Sequence, residues 1–143
     1  LRPRARRRFA LVGRGGGCER FPMMKPLSDA VSLHPYFDVE DGRMGDFIAA
    51  MDRFVERTSA EDACLYYDFS RCGDRVFCRE AYVGAAGVLG HLENVGDLLE
   101  EVLGYSKLAR VEVHGPEAEI DKLREPLAAL GADFFVRVAG REA

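Results

Sequence analysis

No apolar run in these 143 residues approaches the ~20 that a membrane-spanning helix needs, so a membrane is not an expected partner. Cysteine is sparse. The four, at positions 18, 64, 72 and 78, form no C-x-x-C pair and no His/Cys ligand spacing, and no metal site is expected. Cys64, Cys72 and Cys78 fall in strand-like sequence, where a free thiol packs as a small hydrophobe, and reduced thiols fit a cytoplasmic protein. There is no G-x-S-x-G elbow and no P-loop. The glycine-rich stretch 13–17 follows no strand and lacks the lysine that a phosphate-binding loop uses.

Acidic groups are nearly missing from the first 25 residues, which hold eight basic side chains against Glu19 alone. The remainder holds twelve basic side chains against twenty-three acidic ones. So acidic a body offers little to a phosphate backbone, and nucleic acid is not an expected partner. Residues 1–24 are rich in Arg and Gly and have no hydrophobic period, so a disordered basic arm is expected there. Such a segment fits sequence upstream of a start at Met23 or Met24, a targeting segment, or a basic tail. Residues 25–140 are long enough for one domain with a real core.

Within that body, 30–39 reads as a strand with Val31, Leu33 and Phe37 on one face and Ser32, His34 and Tyr36 on the other. Pro35 cannot donate to a ladder, so this strand is expected at a sheet edge or with a bulge. Met44, Phe47, Ile48, Met51, Phe54 and Val55 mark one face of a first helix. Strands at 63–71 and 75–83 are joined at Gly73-Asp74, a hairpin signal. Pairing Cys72 with Arg75 sets Tyr67 opposite Glu80 and Asp68 opposite Arg79. It groups Leu65, Tyr67, Phe69, Cys78, Glu80 and Tyr82 on one face. A fourth strand at 107–114 alternates Ala109, Val111 and Val113 with Arg110 and Glu112. Pro116 suits a helix start, Ile120, Leu123, Leu127 and Leu130 give that helix a buried side, and 134–138 is a last strand. The order βαββαβαβ contains a ferredoxin-like core with one extra α-β unit.

The most informative stretch is 76–99, a strand running straight into an amphipathic helix. His91 falls three after Val88 and four before Val95, inside the apolar stripe, so it points to the core or a cleft. Histidine can take and give a proton near neutrality. With Glu80, Tyr67 and Tyr82 beneath it, it would form a pocket suited to acid–base work. The same residues also fit a packed histidine, a Glu80–Tyr67 cross-strand hydrogen bond and core tyrosines. His34 and His114 suit loop or surface roles, and Asn94 a bond on the helix surface.

A strand ending Glu80-Ala81-Tyr82, a short turn, an alanine-rich helix start and then His91 resemble the Glu-x-Trp/Tyr…His pattern of the antibiotic biosynthesis monooxygenase (ABM) domain family, in the dimeric α/β-barrel group. The likeness runs from about residue 33 to 138. It implies an α+β fold, with a ferredoxin-like antiparallel sheet, helices on one face, and a homodimer joined through the sheet into a barrel. It also implies oxygenation of a small aromatic, quinol-like or polyphenolic molecule with no metal or flavin cofactor. His91 would accept the proton, Glu80 would orient it or share the pocket, and His34 would reach in from the first strand. A second branch of that group breaks haem with an asparagine, a tryptophan and an axial histidine. This chain has no tryptophan and no first-strand asparagine, which leaves only haem binding through His91. A non-catalytic dimeric barrel that binds a small apolar ligand is the other alternative.

Overall fold

The computed structural model describes residues 29–141, so the expected basic arm lies outside the described residues. Strand β1 (Ala30–Val39) leads to helix α1 (Met44–Thr58), then to the hairpin of β2 (Cys64–Cys72) and β3 (Arg75–Val83). Helix α2 (Gly84–Leu103), β4 (Ser106–Gly115), α3 (Glu117–Leu123) and β5 (Asp133–Val136) complete the order. The five strands lie in the order β2-β3-β1-β4-β5, antiparallel except for the parallel β4–β5 pair. This is the expected α+β, ferredoxin-like sheet with an added α-β unit. Its helices all pack on the face that carries Val31, Leu33, Phe37, Val76 and Val113.

The hairpin register is the one the charges favoured: Cys72 faces Arg75, Tyr67 faces Glu80, and Arg79 pairs with Asp68 at 2.7 Å. Gly73, at φ 60°, supplies the left-handed turn. Irregular ladders change two of the expected alternations. A register shift between Cys64 and Tyr66 sets Cys64, not Leu65, opposite Tyr82. A shift between Tyr36 and Phe37 brings Leu108 inward and leaves Ala109 exposed. Pro35 does not put β1 at an edge; β1 is the central strand. Its ladder to β3 runs through Leu33–Glu80, resumes at Tyr36–Phe77, and has no pairs at His34 or Pro35, so the missing donor falls in an interruption.

On α1 the buried side is Phe47, Ala50, Phe54 and Thr58, while Ile48 and Val55 are exposed. The third helix stops at Leu123, short of the expected run to Leu130. Pro126 lacks an N–H and disfavours helical geometry before it, and residues Ala128–Leu130 continue as a 3-10 turn. No helix among the described residues is long and apolar enough to cross a membrane.

The core divides into two clusters. One gathers Tyr82, Ala85 and Val88 with α3 and the middle of β1 and β4; the other gathers α1, the later turns of α2 and the far end of β1. Helix α2 serves both, and its seat on β3 depends on Gly87. A Cβ there would meet the Tyr82 Cβ at 2.9 Å and the Ala63 Cβ at 3.1 Å. Gly87→Ala would therefore push the helix off the sheet despite its better helix propensity. Thermal melting should show a loss on the order of 1–3 kcal/mol, the usual range for overpacking. An unchanged or higher melting temperature would mean that the contact has slack.

Candidate active site

His91 lies one turn beyond Gly87 on α2, 3% exposed, and both of its ring nitrogens face carboxylates. Nδ1 is 2.9 Å and 3.1 Å from the two oxygens of Glu61, in the turn between α1 and β2. Nε2 is 3.3 Å from Glu80 Oε2. An ionised carboxylate only accepts, so the pairing with Glu61 assigns the ring proton to Nδ1 and leaves a lone pair on Nε2 toward Glu80. The rings of Tyr82 and Tyr67 flank the imidazole, with centroids 4.8 Å and 5.3 Å away.

Glu80 sits mid-strand between Leu33 on β1 and Tyr67 on β2, beneath α2. Its neighbour in the hydrogen-bonding sense is Tyr82, two residues along the same strand face, whose hydroxyl donates to Glu80 Oε2. The cross-strand bond to Tyr67 that sequence made plausible is absent from the Glu80 contacts seen here. Burial pushes the Glu80 carboxyl up to about 8, against the pull of the Tyr82 hydroxyl, and the Glu61 charge adds to the rise. Burial lowers His91 below its usual value, opposed by Glu61. At neutral pH the pair is thus an uncharged acid beside an uncharged base. Burial likewise raises both tyrosines, which remain phenols.

These groups border a small apolar cavity of about 50 Å³ between sheet and helices at the seam of the two core clusters. Its walls include Leu33, Phe37, Phe54, Phe69, Leu99 and Leu108, and its polar groups are Glu80, His91, Tyr67 and the Cys78 thiol. Among the described residues, no arginine or lysine lines it. Pro35 and Cys78, at the interruption of the β1–β3 ladder, also reach this wall.

Of the residues singled out by sequence, the structure brings His91, Glu80 and Tyr67 together at the cavity. Tyr82 is adjacent but fully buried, holding Glu80 rather than lining the space. His34 is not part of this group. Alternation along β1 turns it to the opposite sheet face, where it bonds Ser32 Oγ at 2.9 Å and meets His114 edge-on at 4.7 Å. Haem ligation through His91 would require Nε2 to turn from Glu80 Oε2, 3.3 Å away. Sequence reasoning missed Glu61, an ordinary-looking acid in a loop with no period to mark it. Asn94 was the one clue: its Nδ2 donates to Glu61 Oε1 at 2.7 Å and to the Arg57 carbonyl at 3.2 Å.

No protein-family model matches the chain, and no curated protein matches it significantly. Among solved structures it is similar to MupZ from Pseudomonas fluorescens, at 39% identity and a TM-score of 0.76, with 80% of this chain covering 94% of that one. It is also similar to Rv0793 from Mycobacterium tuberculosis, at 22% identity and a TM-score of 0.55, with 61% of this chain covering 94% of that one. A candidate antibiotic biosynthesis monooxygenase from Nitrosomonas europaea matches at 16% identity and a TM-score of 0.57, with 63% of this chain covering 92% of that one. The last two likenesses show a shared fold. The first shows kinship: this chain belongs to the same family as MupZ, built on the ABM-like fold.

Proposed function

We propose that the protein is a cofactor-independent monooxygenase of the ABM type, acting on a quinol-like or polyphenolic molecule held in the cavity. The observation that carries this reading is the Glu80–His91 pair, 3.3 Å apart at the wall of an otherwise apolar space. His91 Nε2 takes a proton from a phenolic hydroxyl, and the Glu61 carboxylate stabilises the imidazolium that results. The phenolate then passes electrons to O2. In balance, a quinol and O2 give a hydroxyquinone and water. One oxygen atom forms the new C–O bond, the quinol supplies all four electrons, and the second oxygen leaves with two hydrogens. The aromatic and aliphatic walls keep water from the reactive intermediates. The described lining, apolar and without a cation among the described residues, suits a neutral ligand better than a carboxylate or phosphate ester.

The proposal includes a homodimer. The sheet face turned away from the helices carries a strip of rings from Tyr36 and Phe77 through His34 and His114 to Phe135, with successive centroids 4.5–6.0 Å apart. Tyr66 and Phe135 on this face are 43% and 42% exposed. A second copy packed sheet to sheet would cover the strip. Sedimentation should then report twice the 15.9 kDa chain, and Phe77→Arg should shift the protein toward monomer. A clean monomer before substitution would remove the barrel from the proposal.

His91→Ala should lower oxygen consumption with a panel of quinols by about 10²–10⁴-fold, the usual cost of losing a general base. Full activity with a lowered melting temperature would make His91 a packing residue. Glu80 has a second signature. An unfolded glutamate ionises near 4.5, whereas Glu80 keeps its proton to about 8. Between those values the native state holds a proton that the unfolded chain has lost, so this group's contribution to stability falls as pH rises. Glu80→Gln retains an acceptor for the Tyr82 hydroxyl and does not titrate. Its melting temperature relative to the parent should therefore improve from about pH 5 to about pH 8. A difference independent of pH would mean that Glu80 is ionised throughout.

A further inference from the structure

Behind His91, on the side away from the cavity, a cleft open to solvent is lined by Val55, Ser59, Glu61, Leu65 and Tyr66. Tyr67 lines both spaces, so the partition between them is one phenol ring and the His91–Glu61 contact. Side-chain exposure rises across that partition, from 6% at Glu80 and 3% at His91 to 14% at Glu61. The carboxylate is held in place. Asn94 Nδ2 donates to it, and Asn94 is itself fixed by Arg57, whose Nη1 donates to the Asn94 carbonyl at 3.0 Å. Arg57 is anchored in turn on Asp97, with Nη2 to Oδ2 at 2.9 Å.

We propose that Glu61 is the outer station of a proton path, through which the buried Glu80–His91 pair exchanges protons with the cleft while the cavity stays dry. The inference rests on proton transfer at that pair, and not on oxygen as the co-reactant. A proton arriving at Nε2 makes the imidazolium, and the Nδ1 proton passes to a Glu61 oxygen. That leaves a neutral ring protonated at Nε2, and Glu61 then releases its proton to water in the cleft. Reversal of the same steps restores the Nδ1–H ring. No bond other than N–H and O–H changes, and the ring's two nitrogens let a proton cross without the side chain turning. Cys64, Tyr66 and Tyr67 are the other titratable groups on the cleft wall, and burial raises both phenols so that they stay protonated. Burial, with Glu61 and Glu80 nearby, pushes the Cys64 thiol up to about 11, so it stays protonated and does not compete as a base.

The test uses the full chain with an empty cavity, following solvent exchange of the His91 Nδ1–H by nitrogen-15 NMR. Glu61→Gln keeps an acceptor oxygen for Nδ1–H but cannot carry a proton. Exchange should slow about tenfold or more, and added formate or imidazole, small enough to enter the cleft, should restore it. Glu61→Asp, which retains the carboxylate, should exchange faster than Glu61→Gln. Equal exchange in the parent and Glu61→Gln would overturn the proposal. Slowed exchange that neither formate nor imidazole restores would overturn it too, leaving Glu61 a purely structural partner. Absence of oxygen consumption would count against the monooxygenase and leave this result untouched.

Discussion

The seat of α2 on β3 is the constraint from which the rest follows. Gly87 lets the helix backbone come within contact of Tyr82. At that separation the imidazole one turn later falls between the Tyr82 and Tyr67 rings, with Nε2 at Glu80. A larger residue at the crossing would raise the helix and lengthen every one of these contacts together. The sheet contributes its half through the hairpin register, since only the pairing that sets Tyr67 opposite Glu80 places both under the helix.

Placing a carboxyl and an imidazole at this depth works against stability, because charge on either is disfavoured by burial. The protein offsets that by hydrogen bonding: Tyr82 to Glu80, Glu61 to His91, and Asn94 to Glu61. The division of the core into two clusters serves the same end. Side chains fill each cluster but leave the seam between them partly open, and the polar pair sits at that seam. Structural polar groups are normally packed closed on all sides; these have one side on empty apolar space.

Much of this was legible in the chain. Strand β1 was bounded to the residue by its alternation, the hairpin register followed from charge pairing, and His91 was placed inward by helical spacing. Those features are local, and local periodicity records them. What sequence misread were the consequences of long-range pairing. Of the two readings Pro35 allowed, the edge fails and the irregular strand holds: β1 is central, with a ladder interruption at His34–Pro35 and a register shift between Tyr36 and Phe37. Two register shifts exchanged Leu65 for Cys64 and Ala109 for Leu108 on the inner face. Ile48 and Val55 matched the apolar stripe of α1, yet Ala50 and Thr58 took the buried positions. Glu61 meets His91 across thirty residues of chain, and a turn acid carries no mark of that meeting.

The short segment after α3 contributes Leu127 and Leu130 to one wall of the cavity, and α3 itself supplies Glu119, which caps the first turn of α2 at the Ala85 N–H, 2.7 Å away. Neither belongs to the four-stranded ferredoxin-like core. The residues proposed to move protons and the two leucines that border the cavity therefore lie on separate stretches of the chain. Substitutions at Leu127 or Leu130 can enlarge or shorten the chamber while Glu61, His91 and Glu80 stay where the core holds them. That layout lets the shape of the chamber change without moving the residues proposed to handle protons.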